Sequence, residues 1–132
     1  MNTIIAKIIE INTLQNLNIV TFEFKTNQLT MMSLDLSDDI KVGSTVELVV
    51  NPAHVALSKN FTGEISYANQ LSATIKSIEN GQLLSSIELS FFDTVLDSII
   101  TLNSSKKMNL KVGDEVTAFI KSSEISIFKV LT

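Results

Sequence analysis

An internal repeat constrains the fold of this chain more than any other feature of its sequence. Lys41-Val42-Gly43 recurs seventy residues later as Lys111-Val112-Gly113, and after each copy come small or polar residues, a run of strand formers, a polar break and a short alternating strand. Repeats of this size rarely bury enough apolar surface alone, so the two copies are expected to pack together. The repeat therefore predicts two small domains, residues 1–60 and residues 61–132, with the boundary in a polar, Gly-containing link.

Short stretches that are β-branched or alternately apolar predict five strands in each domain. Val20, Phe22 and Phe24, for example, alternate with polar residues, which is typical of a half-buried strand. Asn80-Gly81 lies between two such stretches and predicts a hairpin turn. The predicted strands cover residues 3–11, 17–25, 29–34, 45–50, 54–57, 72–78, 84–92, 99–102, 115–121 and 125–130.

A short helical turn is predicted between the third and fourth strands of each domain. In the first domain it covers residues 35–40, and in the second it begins at Asn103, Ser104 or Ser105, because these residue types accept hydrogen bonds from the first N–H groups of a helix. Five strands and one helical turn, twice over, predict an all-β protein made of two small barrels of the oligonucleotide/oligosaccharide-binding (OB) type. A single larger sandwich would not explain the repeat.

Composition limits the compartment and the class of ligand. The 132 residues include no cysteine, which excludes disulfides and thiolate metal sites and favours a reducing compartment. Neither a signal peptide nor a membrane span is recognisable, so we expect a cytoplasmic protein without a membrane partner. A net charge of -4, one Tyr and no Trp argue against a nucleic-acid partner. Any anion must therefore be bound by donors that are concentrated locally.

The two repeats differ at the polar break that follows the fourth strand. In the second repeat the break is Lys121-Ser122-Ser123, which offers an ammonium group, two hydroxyls and backbone N–H groups. In the first repeat it is Asn51-Pro52-Ala53, where the lysine is absent and the proline has no N–H. We call these segments the second arm and the first arm. Anion-binding chemistry is expected at the second arm.

Several motifs of the second repeat occur in the order of a known family. Ser66-Tyr67-Ala68-Asn69-Gln70-Leu71 is followed by an Asn-Gly turn, by residues 110–116 and by Lys121-Ser122-Ser123-Glu124-Ile125. This order resembles the molbindin family, whose molybdate- and tungstate-binding Mop modules are also called TOBE domains. The first repeat fits as a degenerate copy, so the whole chain resembles a tandem (di-Mop) molbindin. One difference is Ala68, which stands where the family has arginine.

The resemblance implies molybdate or tungstate as the bound ligand and a homo-oligomer, a trimer of tandem chains, whose sites lie between modules. The implied oxyanion contacts are Ser66, Tyr67, Ala68, Asn69, Lys121, Ser122 and Ser123. Thr101 and Ser104 are candidates for a second kind of site near a symmetry axis. A strand end followed by a helix cap would explain those two residues equally well.

Molybdate and tungstate are tetrahedral dianions that only accept hydrogen bonds, so a cavity built from donors alone suits them. Such a cavity disfavours monohydrogen phosphate by about 1–3 kcal/mol, because the phosphate O–H is left as a buried, unsatisfied donor. Nothing in the sequence indicates a catalyst or a free metal cation. His54 is the only histidine and is expected at or near the surface of a short strand, and the carboxylates form no acid–base pair.

The predicted function is non-enzymatic binding of molybdate or tungstate for storage, buffering or intracellular molybdenum homeostasis. One alternative is a ligand-free assembly or regulatory module that partners a molybdate transporter ATPase or regulator, which Ala68 and the first arm favour. Another alternative is a small barrel that binds RNA or single-stranded DNA, against which the acidic charge argues.

Overall fold

Ten strands form two five-stranded sheets in a computed structural model that describes residues 1–132. The strands are β1 (Asn2–Leu14), β2 (Leu17–Phe24), β3 (Asn27–Leu34), β4 (Thr45–Val50), β5 (Val55–Ser58), β6 (Asn69–Asn80), β7 (Leu84–Phe91), β8 (Thr94–Thr101), β9 (Glu115–Ile120) and β10 (Ser126–Val130). The helices are α1 (Leu102–Lys107) and two 3₁₀-helices at Pro52–His54 and Ser122–Glu124. The predicted all-β class with five strands in each sheet is confirmed. None of these helices has the length and apolarity that crossing a bilayer requires.

The alternation of side chains along the strands builds one core between the two sheets. On β1, Ile4, Ala6 and Ile8 are buried while their neighbours in sequence are exposed, as a period of two requires. All but one of the buried apolar residues, Phe119 being the exception, form a single cluster of 23 residues that draws on both sheets. Phe24 of β2 and Phe91 of β7 stack within it, with ring centroids 5.4 Å apart. The two sheets therefore stabilise each other by burying a shared apolar interior.

Each sheet takes one edge strand from the other half of the chain. The first sheet has the order β10-β4-β1-β2-β3, and the second has the order β5-β9-β6-β7-β8. β5 pairs with β9 from Val55 opposite Ile120, and β10 pairs with β4 from Ser126 opposite Val49. The sequence repeat divides near residue 60, whereas the hydrogen-bonded sheets cross that division. Residues 1–60 and 61–132 are thus interlocked by an exchange of strands.

The repeated Lys-Val-Gly motif forms the same turn in both halves. Gly43 and Gly113 have φ of +96° and +94°, a left-handed conformation that glycine adopts without a steric penalty. Their N–H groups donate to the carbonyl oxygens of Ile8 and Ile75, each at 2.8 Å. Both acceptors lie at a bulge of the long first strand of their sheet. The turn therefore anchors the loop before the fourth strand at the point where the first strand bends.

The two helical turns predicted from the sequence have different outcomes. The second is helix α1, although its cap is Thr101, whose Oγ1 accepts a hydrogen bond from the N–H of Ser104 at 3.1 Å, rather than Asn103, Ser104 or Ser105. The first prediction is wrong, because residues 35–40 form no helix, only a turn in which Ile40 N–H donates to Ser37 O at 3.1 Å. The physical reason is length, since the link between strands is residues 35–44 in the first repeat and residues 102–114 in the second.

Asp114→Asn is expected to destabilise the fold at neutral pH but not in acid. Asp114 Oδ2 accepts a hydrogen bond from Lys111 N–H at 2.9 Å and lies 3.4 Å from Lys59 Nζ. The Lys111 N–H, followed by the Lys59 ammonium group, holds the pKa of this carboxyl below its ordinary value of 3.8. Because the folded-state pKa is the lower one, the stabilisation is present above the ordinary value and is lost as pH falls through the folded-state value.

Urea unfolding of the wild type and of Asp114→Asn, at neutral pH and at about pH 2, measures this effect. A matched control is Ser44→Ala, because Ser44 Oγ of the first repeat accepts from Lys41 N–H at 3.4 Å without carrying a charge. The midpoint difference between wild type and Asp114→Asn should shrink in acid, while the Ser44→Ala difference should not. A pH-independent difference for Asp114→Asn would contradict the assignment.

Candidate functional site

The two segments that the sequence singles out lie on neighbouring strands at the same end of the second sheet. β6 and β9 run antiparallel, and their terminal pair is Asn69 opposite Ile120. Residues 66–68 therefore precede β6 beside the place where the second arm leaves β9. The register of one sheet brings both candidate segments together within a single chain.

A cleft of about 430 Å³ opens beside the second arm. Lys121, Glu124 and Tyr67 line it from the second repeat, and residues 53–56 line it from the first. Ile99 and Ile100 of β8 supply an apolar wall. Both arms thus meet at one cleft, which contains one lysine and borders an apolar surface.

The Lys121 side chain of the second arm caps nothing, whereas the Asn51 side chain of the first arm caps its 3₁₀-helix. Lys121 is the residue before the second 3₁₀-helix, makes no capping hydrogen bond and takes part in none of the three ion pairs. Ser122 is half-buried and Ser123 is exposed. At the equivalent position of the first arm, Asn51 Oδ1 accepts from Ala53 N–H at 2.9 Å. Only the second arm therefore presents an uncommitted ammonium group to the cleft.

Asn69 is fully buried and its amide is already hydrogen-bonded. Its Oδ1 accepts from Thr30 N–H at 2.7 Å, and its Nδ2 donates to Thr30 O at 2.9 Å. Thr30 lies on β3 of the first sheet. The structure thus directs the Asn69 amide towards the opposite sheet, whereas the resemblance implies that it contacts an oxyanion.

The residues that precede Asn69 remain accessible. Ser66 and Ala68 are exposed, and the half-buried Tyr67 ring packs edge-on against Phe119 with centroids 6.0 Å apart. Tyr67 O accepts from Gln70 Nε2 at 3.0 Å, which fixes the backbone next to the cleft. Because Ala68 supplies no cation, Lys121 is the cationic side chain where the two segments meet.

Thr101 and Ser104 do not line the cleft beside the second arm. Thr101 caps α1, and its hydroxyl oxygen is 3.0 Å from that of Ser104. Thr101 borders a separate cleft of about 540 Å³ with Gln82 and Lys106, and that cleft shares no residue with the one beside Lys121. The two candidate sites of the sequence are therefore separate, and the helix cap explains both hydroxyls.

His54 and Glu124 form a contact that the sequence analysis missed. His54 lies in the first 3₁₀-helix rather than on a strand, and its Nδ1 is 2.9 Å from Glu124 Oε2. Each is the last residue of its 3₁₀-helix, so the two occupy equivalent positions of the repeat. The sequence contains one signal for this contact: the seventy-residue offset of the repeat aligns the basic His54 with the acidic Glu124. The contact gives the cleft carboxylate a partner from the other repeat.

Comparisons with known proteins agree with this architecture. The family described as TOBE domain matches residues 65–127. The probable molybdenum-pterin-binding protein of Haemophilus influenzae is 35% identical over 65 residues, which cover 48% of this chain and 94% of that protein. A crystal structure of the cytoplasmic molybdate-binding protein ModG, with molybdate bound, matches with a TM-score of 0.90 and 23% identity over 96% of this chain and 94% of that one. A molybdate-binding protein from Sporomusa ovata matches with a TM-score of 0.50 and 36% identity over 51% of this chain and 100% of that one.

The lengths of these matches distinguish single from tandem forms. The Haemophilus influenzae and Sporomusa ovata proteins correspond to about half of this chain, whereas the ModG fold spans nearly all of it. The likeness to ModG confirms the prediction of two OB-like barrels. The chain therefore belongs to the molbindin (Mop/TOBE) family, in its tandem form.

Proposed function

We propose that this protein binds molybdate reversibly and without catalysis, in the region where the second arm meets residues 66–68. One observation carries the proposal: the terminal β6–β9 pair places Lys121, which has no ion-pair partner, beside the accessible segment before Asn69. The names of the relatives, which specify molybdate or a molybdenum-pterin, support this class of ligand. Tungstate has the same charge and shape as molybdate and belongs in the proposal.

The donor set suits a dianion that carries no proton. Lys121 supplies the ammonium group, Ser122 and Ser123 supply hydroxyls, and the backbone around Tyr67 and Ala68 supplies N–H groups. A hydrogen bond to a charged group contributes about 1.5–3 kcal/mol, and an apolar wall strengthens it by lowering the local dielectric constant. Glu124 is the one carboxylate in the cleft, and its Oε2 lies 2.9 Å from His54 Nδ1.

We further propose that a second copy of the chain completes the site, in a homo-oligomer that is a trimer of tandem chains. Leu14, Leu17 and Leu34 form a continuous apolar tip on the first sheet, with 75%, 38% and 61% exposure. Leu83 and Leu84 are likewise exposed, by 80% and 55%, near the corresponding tip of the second sheet. Exposed apolar surface of this kind commonly marks a protein–protein contact.

In this proposal the protein stores, buffers or delivers molybdate in the cytoplasm. Because the first arm has no lysine and no serine, fewer sites are expected than in a tandem protein with two complete arms. The specific alternative is an assembly or regulatory module that has lost its ligand and partners a molybdate transporter ATPase or regulator. Ala68, at the family's arginine position, favours that alternative.

Isothermal titration calorimetry with molybdate, tungstate, sulfate and phosphate, together with the mass of the assembly in the same buffer, tests the proposal. We expect saturable binding of molybdate and tungstate, weak or absent binding of phosphate, and a mass of three chains. A ligand that binds only the folded protein should also raise the melting temperature. No heat with any of the four anions would refute molybdate binding and favour the assembly module.

A further inference from the structure

Two buried asparagines connect the two sheets in the same way. Asn69, at the start of β6, is bonded through both amide atoms to the backbone of Thr30. Asn2, at the start of β1, accepts from Asp97 N–H at 2.8 Å and donates to Asp97 O at 2.8 Å. Thr30 and Asp97 lie on β3 and β8, which are edge strands. Each amide therefore bonds the backbone N–H and C=O of one edge-strand residue, as a further strand would do.

We call each of these pairs of hydrogen bonds, Asn69 with Thr30 and Asn2 with Asp97, a clamp. The surroundings of the two clamps differ. Asn69 is paired with Ile120, so its clamp lies beside Lys121 and directly after residues 66–68. Asn2 is paired with Val50, so its clamp lies beside the first arm, which lacks lysine and serine. The two clamps thus make equivalent hydrogen bonds, but only one adjoins the proposed donors.

We infer that Asn69 is a positioning residue for the proposed oxyanion site, and that it acts through Thr30 rather than by touching the ligand. The inference rests on the proposed function. Because its amide is hydrogen-bonded to Thr30 of the first sheet, Asn69 fixes where β6 begins. It thereby fixes where the backbone of residues 66–68 lies relative to Lys121. A binding site needs its donors within about 0.5 Å and 10–20° of the productive geometry, so a shift of this backbone is expected to weaken molybdate binding.

The test compares Asn69→Ala with Asn2→Ala in the full chain. Each variant loses the same pair of side-chain hydrogen bonds, so both should lower the melting temperature by similar amounts. Only Asn69→Ala should raise the Kd for molybdate, by about 10- to 100-fold, the range seen when residues that orient ligands are removed from metal sites. Asn2→Ala should bind molybdate with the affinity of the wild type.

Thr30→Pro separates positioning from direct contact. This substitution removes the Thr30 N–H that donates to Asn69 Oδ1 but keeps Asn69 itself. Because β3 is an edge strand and this N–H points away from β2, proline is compatible with the position. Positioning predicts a raised Kd in Thr30→Pro, and this variant also tests the clamp if Asn69→Ala does not fold.

Three results would overturn the inference: an unchanged Kd in Asn69→Ala, an unchanged Kd in Thr30→Pro, or equal increases in Asn69→Ala and Asn2→Ala. If wild-type protein binds no molybdate, the proposed function fails together with the inference. If the wild type binds and Asn69→Ala binds equally well, the inference alone fails.

Discussion

Replacing Lys121 and Ser122 together with alanine is expected to weaken molybdate binding about 100-fold and to leave the fold intact. A charge-assisted hydrogen bond contributes about 2 kcal/mol and a hydroxyl about 1 kcal/mol, and each 1.4 kcal/mol corresponds to tenfold in Kd. Stability should change little, because Lys121 is exposed, caps nothing and forms no ion pair. Calorimetric titration gives the Kd, and urea unfolding of the same samples gives the stability.

The first arm offers a matched control for this double variant. Asn51→Ala with Pro52→Ala changes the two equivalent positions, so it should bind molybdate as the wild type does. It should lose about 1 kcal/mol of stability, because Asn51 Oδ1 no longer accepts from Ala53 N–H. A wild-type Kd in the Lys121 and Ser122 variant would place the site elsewhere. A raised Kd in the control would make the first arm part of the site.

The strands were predictable because their signal is local. Alternation of Val20, Phe22 and Phe24 identifies the buried face of β2, and all three side chains are buried. Strand ends were less predictable, since hairpins turn at Gln15, Lys25 and Phe92 with φ near +55°, where the sequence offers no glycine. A left-handed residue that is neither Gly nor Asn gives no turn signal, and such conformations are held by the surrounding sheet.

The interactions between the repeats were not predictable in this way. Whether β5 and β10 pair within their own repeat or exchange sheets depends on packing, because both arrangements use the same local pattern. The Asn69 amide finds its partner 39 residues away, which no spacing rule reveals. The contact between His54 and Glu124 likewise joins the two halves. The candidate contact residues came from the family resemblance, whereas the partners of Asn69 and His54 required the three-dimensional arrangement.

Deleting residues 126–132 is expected to destabilise the first sheet, although these residues belong to the second repeat. β10 is the edge strand next to β4, and Leu131 N–H donates to Thr45 O at 2.7 Å. Ile127 and Val130 pack against the core. Loss of several hydrogen bonds at about 1 kcal/mol each, and of this apolar contact, should lower the free energy of unfolding by about 5 kcal/mol.

Amide hydrogen exchange locates that effect. Because β4 loses β10 and becomes the edge strand beside β1, protection from exchange should fall in residues 45–50. Protection should persist in residues 115–120, whose partners β5 and β6 remain. Phe128→Ser is the control, since Phe128 is 64% exposed and its replacement leaves the strand in place. That variant should keep the protection of β4. Protection lost from β9 instead of β4 would mean that β10 pairs within its own repeat, and the exchange of strands would then be wrong.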